Sequence, residues 1–90
     1  MITVEFFSIP KRRAGVNELE VQTDVPLLLT ELLAQVAQAI PEFGECCLDQ
    51  SGQLQRHYLA MLDSERLRPH SEALIPCDSR VIILSADVGG

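Results

Sequence analysis

Apolar and polar side chains alternate over residues 2–8, placing Ile2, Val4 and Phe6 on one side and Thr3, Glu5 and Phe7 on the other. A period of two is the signature of a strand with one buried face, so the first set is expected in a core and the Phe7 ring outside it. Residues 9–15 hold Pro10, Gly15 and the cations Lys11, Arg12 and Arg13, a composition that predicts the connection of a hairpin. The basic triplet reads as a solvated loop, with an acidic patch on a partner as the alternative. Alternation resumes over 16–22 and predicts a second strand with Leu19 and Val21 inward.

The period then changes. Leu29, Leu32, Leu33, Val36, Ala37 and Ile40 recur at three- and four-residue spacing, the buried stripe of an amphipathic helix. Asp24 is placed to cap its start, Pro26 suits a first turn, and Pro41 is expected to stop it. The pattern weakens over 42–55, where 49–53 is a turn by composition. Residues 57–62 predict a third strand, with Tyr58, Ala60 and Leu62 inward and His57, Leu59 and Met61 outward. A turn at 63–66, a brief strand at 67–68 and a single helical turn around Leu74 and Ile75 follow. Residues 80–85 make the last strand, with Val81 and Ile83 inward and Ile82 and Leu84 outward.

On these phases Phe7, Leu59, Met61, Ile82 and Leu84 share the outer face of a sheet. A solvent-facing apolar patch of that kind marks a partner-binding surface, and methionine lets it adapt to several partners. A slip of one residue in strand phase would instead send each of them to the core. Strands and one helix in this order make an α+β domain. If the first and last strands lie side by side and parallel, with the helix across the sheet, the topology is a β-grasp; the pattern leaves it one of several.

One domain is expected over 1–85, followed by a flexible C-terminal tail over 86–90 ending on Val88, Gly89 and Gly90. Two glycines there fill no core and lose much freedom if ordered, so they add nothing to stability. They do make a slim strip of backbone. Six residues beyond Leu84, fully extended, reach roughly 20 Å, enough to thread into a partner's cleft. On the tail alone, a frayed end explains the glycines equally well.

Composition narrows the function classes. The chain has 90 residues, 47% of them hydrophobic and 22% charged, with a net charge of −6, as a small globular domain should. The acidic balance argues against a nucleic-acid footprint or an anionic membrane surface and suits a partner with a basic docking face. With no membrane-spanning run and no signal peptide in the sequence, a cytoplasmic protein is expected, with Cys46, Cys47 and Cys77 as free thiols. Cys46 and Cys47 are vicinal and lack the two-residue gap of a zinc or thioredoxin-like pair. They read as small apolar fillers, with a redox or sulfur-relay role as the lesser alternative. His57 and His70 read as ordinary surface residues. No metal site, phosphate-binding glycine loop or Ser-His-Asp set is expected.

Three stretches resemble the MoaD/ThiS sulfur-carrier group of ubiquitin-like proteins. Residues 1–7, Met-Ile-Thr-Val-Glu-Phe-Phe, are similar to the first strand of the molybdopterin-synthase small subunits, and Glu31-Leu32-Leu33 matches the usual start of the helix. Residues 75–90 resemble the group's closing order of proline, acid, hydrophobic strand, short tail and diglycine. The middle, 48–63, looks closer to carriers of cysteine and related pathways. Three positions depart from the pattern: Leu28 replaces a small capping residue, Ser85 a frequent proline, and Leu84 a frequent aromatic.

The resemblance implies a β-grasp fold and a carrier or cosubstrate rather than an enzyme. Gly90 would be adenylated by an activating enzyme that uses ATP, then converted to a thiocarboxylate that donates sulfur in molybdopterin, cysteine, thiamine or related biosynthesis. The implied partners are that enzyme, a sulfur donor such as a cysteine desulfurase or rhodanese-like protein, and a sulfur-accepting synthase. The carrier itself would bind no cofactor. Two alternatives stay open: a ubiquitin-like modifier conjugated through Gly90, and a non-conjugating β-grasp binding module whose tail is incidental.

Overall fold

The structure is a computed structural model and describes residues 1–86. The chain runs β1 (Ile2–Phe6), α1 (Ser8–Ala14), β2 (Glu18–Val21), α2 (Leu29–Ala39), α3 (Pro41–Cys47), β3 (Tyr58–Leu62), β4 (Glu65–Leu67) and β5 (Arg80–Ser85). The five strands form one sheet in the order β2-β1-β5-β3-β4. β1 and β5 are parallel at its centre, and every other pairing is antiparallel. This is the β-grasp topology, with a mixed sheet and α2 as the principal helix.

The core follows from the two periods in the sequence. Ile2, Val4 and Phe6 of β1, Val81 and Ile83 of β5 and Ala60 of β3 form its sheet side, and all are buried. Leu29, Leu32, Leu33 and Val36 of α2 close over them, with Phe43 and Cys47 of α3 and Ile75 of the last loop. Burying each such large side chain stabilises the fold by about 1.5–3 kcal/mol before conformational entropy is counted. The Phe6 and Phe43 rings meet at 5.4 Å in a tilted pair that ties α3 to the sheet.

Several local expectations change. The connection after β1 is a helix, α1, rather than a hairpin loop. Pro10 is compatible with it because the amides of a first turn have no partner within the helix in any case. Gly15 closes α1 in the left-handed conformation, φ 76°, and its N–H donates to the Lys11 carbonyl.

Asp24 does not cap α2. The cap residue is Leu28, which has no side-chain acceptor. Instead the Leu28 N–H donates to Glu31 Oε1 at 2.8 Å, so half of a capping box forms. Pro41 does end the α2 ladder, but it also opens α3 as the first residue of a helix over a stretch with no clear pattern. Around Ile75 there is an isolated antiparallel bridge to Leu27 in place of a helical turn; its two hydrogen bonds measure 2.7 and 3.1 Å. The second strand is shorter than expected, and the brief strand at 67–68 lies at Glu65–Leu67.

Candidate functional site

The outer sheet face is built by register. In the β3–β5 ladder Leu59 lies opposite Leu84 and Met61 opposite Ile82, while across the parallel pairing Ile82 neighbours Glu5. All four apolar residues are half-buried and alternate with the fully buried Ala60, Val81 and Ile83. Phe7 continues β1 in extended conformation as its N–H donates to the Ile83 carbonyl at 2.9 Å, and the residue is 45% exposed. Phe7 therefore stands beside Leu84 at the end of the sheet where β5 leaves. The structure thus brings Phe7, Leu59, Met61, Ile82 and Leu84 onto one face.

A charged border flanks that face on the side of β2. Glu5 of β1 and Glu18 of β2 are directly opposite each other, a like-charge pair that would repel. The Arg80 guanidinium bridges them, 2.8 Å from Glu5 and 3.5 Å from Glu18. Glu5 first, and Glu18 after it, hold the Arg80 proton more firmly than usual. Between this border and the apolar rows lies a depression of about 280 Å³ lined by Met61, Asp63, Ser64, Arg80 and Ile82. The pattern of residue types showed Arg80 only as the start of a strand, because its two carboxylates come from distant segments.

At the tail's exit, the Ala86 N–H donates to the His57 carbonyl at 2.6 Å, so the ladder holds the chain through residue 86. Ser85, opposite Tyr58, is 5% exposed, and its hydroxyl makes no hydrogen bond among the described residues. Val88, Gly89 and Gly90 lie outside the described residues.

The thiols sit elsewhere. Cys47 is fully buried, while Cys46 and Cys77 are half-buried. Burial, and Cys46 beside it, push the Cys47 thiol from its ordinary 9.0 up to about 11. A protonated, enclosed thiol is a poor nucleophile, which fits a packing role in α3. Among the described residues no cluster of three or more His, Cys, Asp or Glu could hold a metal ion, and no helix is long and apolar enough to cross a membrane.

No protein-family model matches the chain, and no curated protein is similar to it in sequence. Solved structures do match. SAMP1 from Haloferax volcanii aligns with a TM-score of 0.81 at 16% identity, covering 99% of this chain and 98% of that one. The chain has the ubiquitin-like β-grasp fold. Urm1 from Sulfolobus solfataricus shares this β-grasp at a TM-score of 0.69 and 16% identity, over 92% of this chain and 97% of that one. CysO from Mycobacterium tuberculosis shares it at 0.68 and 22% identity, over 96% and 99%. At such identities the likeness is one of fold, and it extends over at least 92% of each chain.

Proposed function

We propose that the protein is a sulfur carrier that works through the carboxylate of Gly90. The observation that carries this reading is the course of β5. This central strand contributes two residues to an apolar outer face and runs directly into a segment ending in two glycines. The sequence resemblance to the MoaD/ThiS group supports it, as does a fold shared with CysO, Urm1 and SAMP1. The role requires a free carboxylate on Gly90.

That carboxylate is a poor electrophile because its charge is delocalised and oxide is a poor leaving group. A partner enzyme would join it to the α-phosphate of ATP, releasing pyrophosphate and leaving an acyl-adenylate. Sulfide sulfur, from sulfide itself or from a persulfide reduced by a thiol, would then add to the carbonyl carbon and expel AMP. The product is a thiocarboxylate. A side chain at 89 or 90 would crowd the approach of backbone to nucleotide, which is why glycine suits both positions.

The test is the mass of the C-terminal fragment after incubation with ATP, an activating enzyme and sulfide. Sulfur replacing oxygen on Gly90, trapped by a thiocarboxylate-selective alkylating reagent, supports the carrier. A tail left unmodified by cognate activating enzymes overturns it.

A second reading follows from two of the similar structures, both of small archaeal modifier protein 1. A modifier would use the same adenylate but pass the acyl group to a lysine amine on a target. Denaturing blots of cells separate the two readings: a ladder of covalent adducts that disappears on deleting Gly90 favours the modifier.

A further inference from the structure

Four exposed cations gather at one end of this acidic domain. β1 and β5 finish, and β3 begins, at the end from which the tail leaves. That end carries Lys11, Arg12 and Arg13 in the last turn of α1, and Arg56 just before β3, all exposed. The opposite end carries Glu20, Asp63, Glu65 and Asp78, interspersed with Arg66 and Arg80. Arg80 forms two ion pairs, whereas none of the four exit-end cations forms one among the described residues. Cations in a helix's last turn do interact favourably with its C-terminal carbonyls. That interaction leaves unexplained the open groove of about 470 Å³ beside them, lined by Ser8, Lys11, Arg12, Gly15, Val16 and Asn17. Val16, one of the lining residues, is about as exposed as Phe7.

We propose that this groove, between α1 and the turn at 15–17, receives an acidic segment of the enzyme that takes the tail. The identity of that partner rests on the carrier reading; the site rests on the geometry and the charge. Net charge of −6 disfavours nucleic acid, while a short run of carboxylates fits a groove with two cations on its wall. Because the groove and residue 86, where the tail begins, share one end of the molecule, a partner docked at the groove by an acidic segment would have its cleft near the tail. Docking there would steer encounter and leave the chemical step to the enzyme.

The experiment is ATP–pyrophosphate exchange by the adenylating enzyme of the same organism, with this chain as varied substrate. The native chain is compared with a Lys11→Gln, Arg12→Gln, Arg13→Gln variant at low and at moderate salt. The thermal midpoint of the variant is checked first, and Lys11→Gln with Arg12→Gln alone is used if the triple change unfolds the domain. The expected result is a KM raised about tenfold or more with kcat within about twofold, and a KM that loses most of its salt dependence. Unchanged KM and salt dependence, with exchange intact, overturn the groove alone. No exchange with the native chain overturns the groove together with the carrier reading. Tight binding of duplex DNA by the native chain, lost in the variant, would overturn it in favour of nucleic acid.

Discussion

Gly44 and Cys47 stand one turn apart in α3 and hold that helix in place by different means. A Cβ added at Gly44 would come within 2.8 Å of the Ala37 Cβ, so α2 and α3 can lie this close only with glycine there. Gly44→Ala should destabilise the domain by about 1–3 kcal/mol through overpacking, read as a lower urea midpoint. Cys47 is sealed in the core, and its thiol titrates at about 11 rather than 9.0. Below pH 9 the thiol keeps its proton folded or unfolded and favours neither state. From pH 9 towards 11 only the unfolded chain loses it, so stability should fall as pH rises through that window. Comparing urea midpoints at pH 8 and pH 10 for the native chain and Cys47→Ala measures the effect. At pH 8, Cys46 and Cys77 should alkylate while Cys47 does so only on unfolding.

Among the elements, the β3–β4 hairpin carries visible strain. Asp63 and Ser64 both have positive φ, 51° and 68°, as the two central residues of a type I′ turn require. Glycine is the favoured second residue there, and serine meets a Cβ penalty. Ser64→Gly should therefore raise stability by about 0.5–1 kcal/mol, seen as a higher thermal midpoint.

What could be read from the sequence follows the same local logic. β1, β5 and the stripe of α2 were legible because their periods persist for several residues and the buried positions follow them, although Ala37 and Ile40 at the end of the stripe are only half-buried. α1 was not, because Pro10 and Gly15 look like punctuation of a loop when they are a first-turn residue and a cap. α3 was hidden by its brevity, since seven residues hold too few repeats to show a period. The Leu27–Ile75 bridge joins segments far apart in the chain, and no local pattern encodes it. The phases of the outer-face residues were legible, whereas the Arg80 bridge and the exit-end groove needed tertiary placement.

For the whole molecule, the carrier reading gives sheet and tail separable jobs. Leu59 and Leu84 are half-buried on the outer face, while the core is made by the opposite faces of the same strands. Leu59→Thr with Leu84→Thr puts a β-branched residue that suits a strand at each position and removes apolar area only from the outside. On the carrier reading the double variant should fold with its thermal midpoint lowered by only a few degrees, and bind the activating enzyme about tenfold or more weaker in calorimetry. Retained affinity would show that the face contributes little to that encounter.

β5 also has a mechanical consequence. It lies between β1 and β3, parallel to the strand that opens the chain. Traction between the chain's start and its tail would load the hydrogen bonds of the central ladders together, in shear. They would not peel one at a time, as at a frayed edge. Hauled by its tail towards a narrow unfolding pore, the domain should stall the motor at forces a hairpin could not withstand.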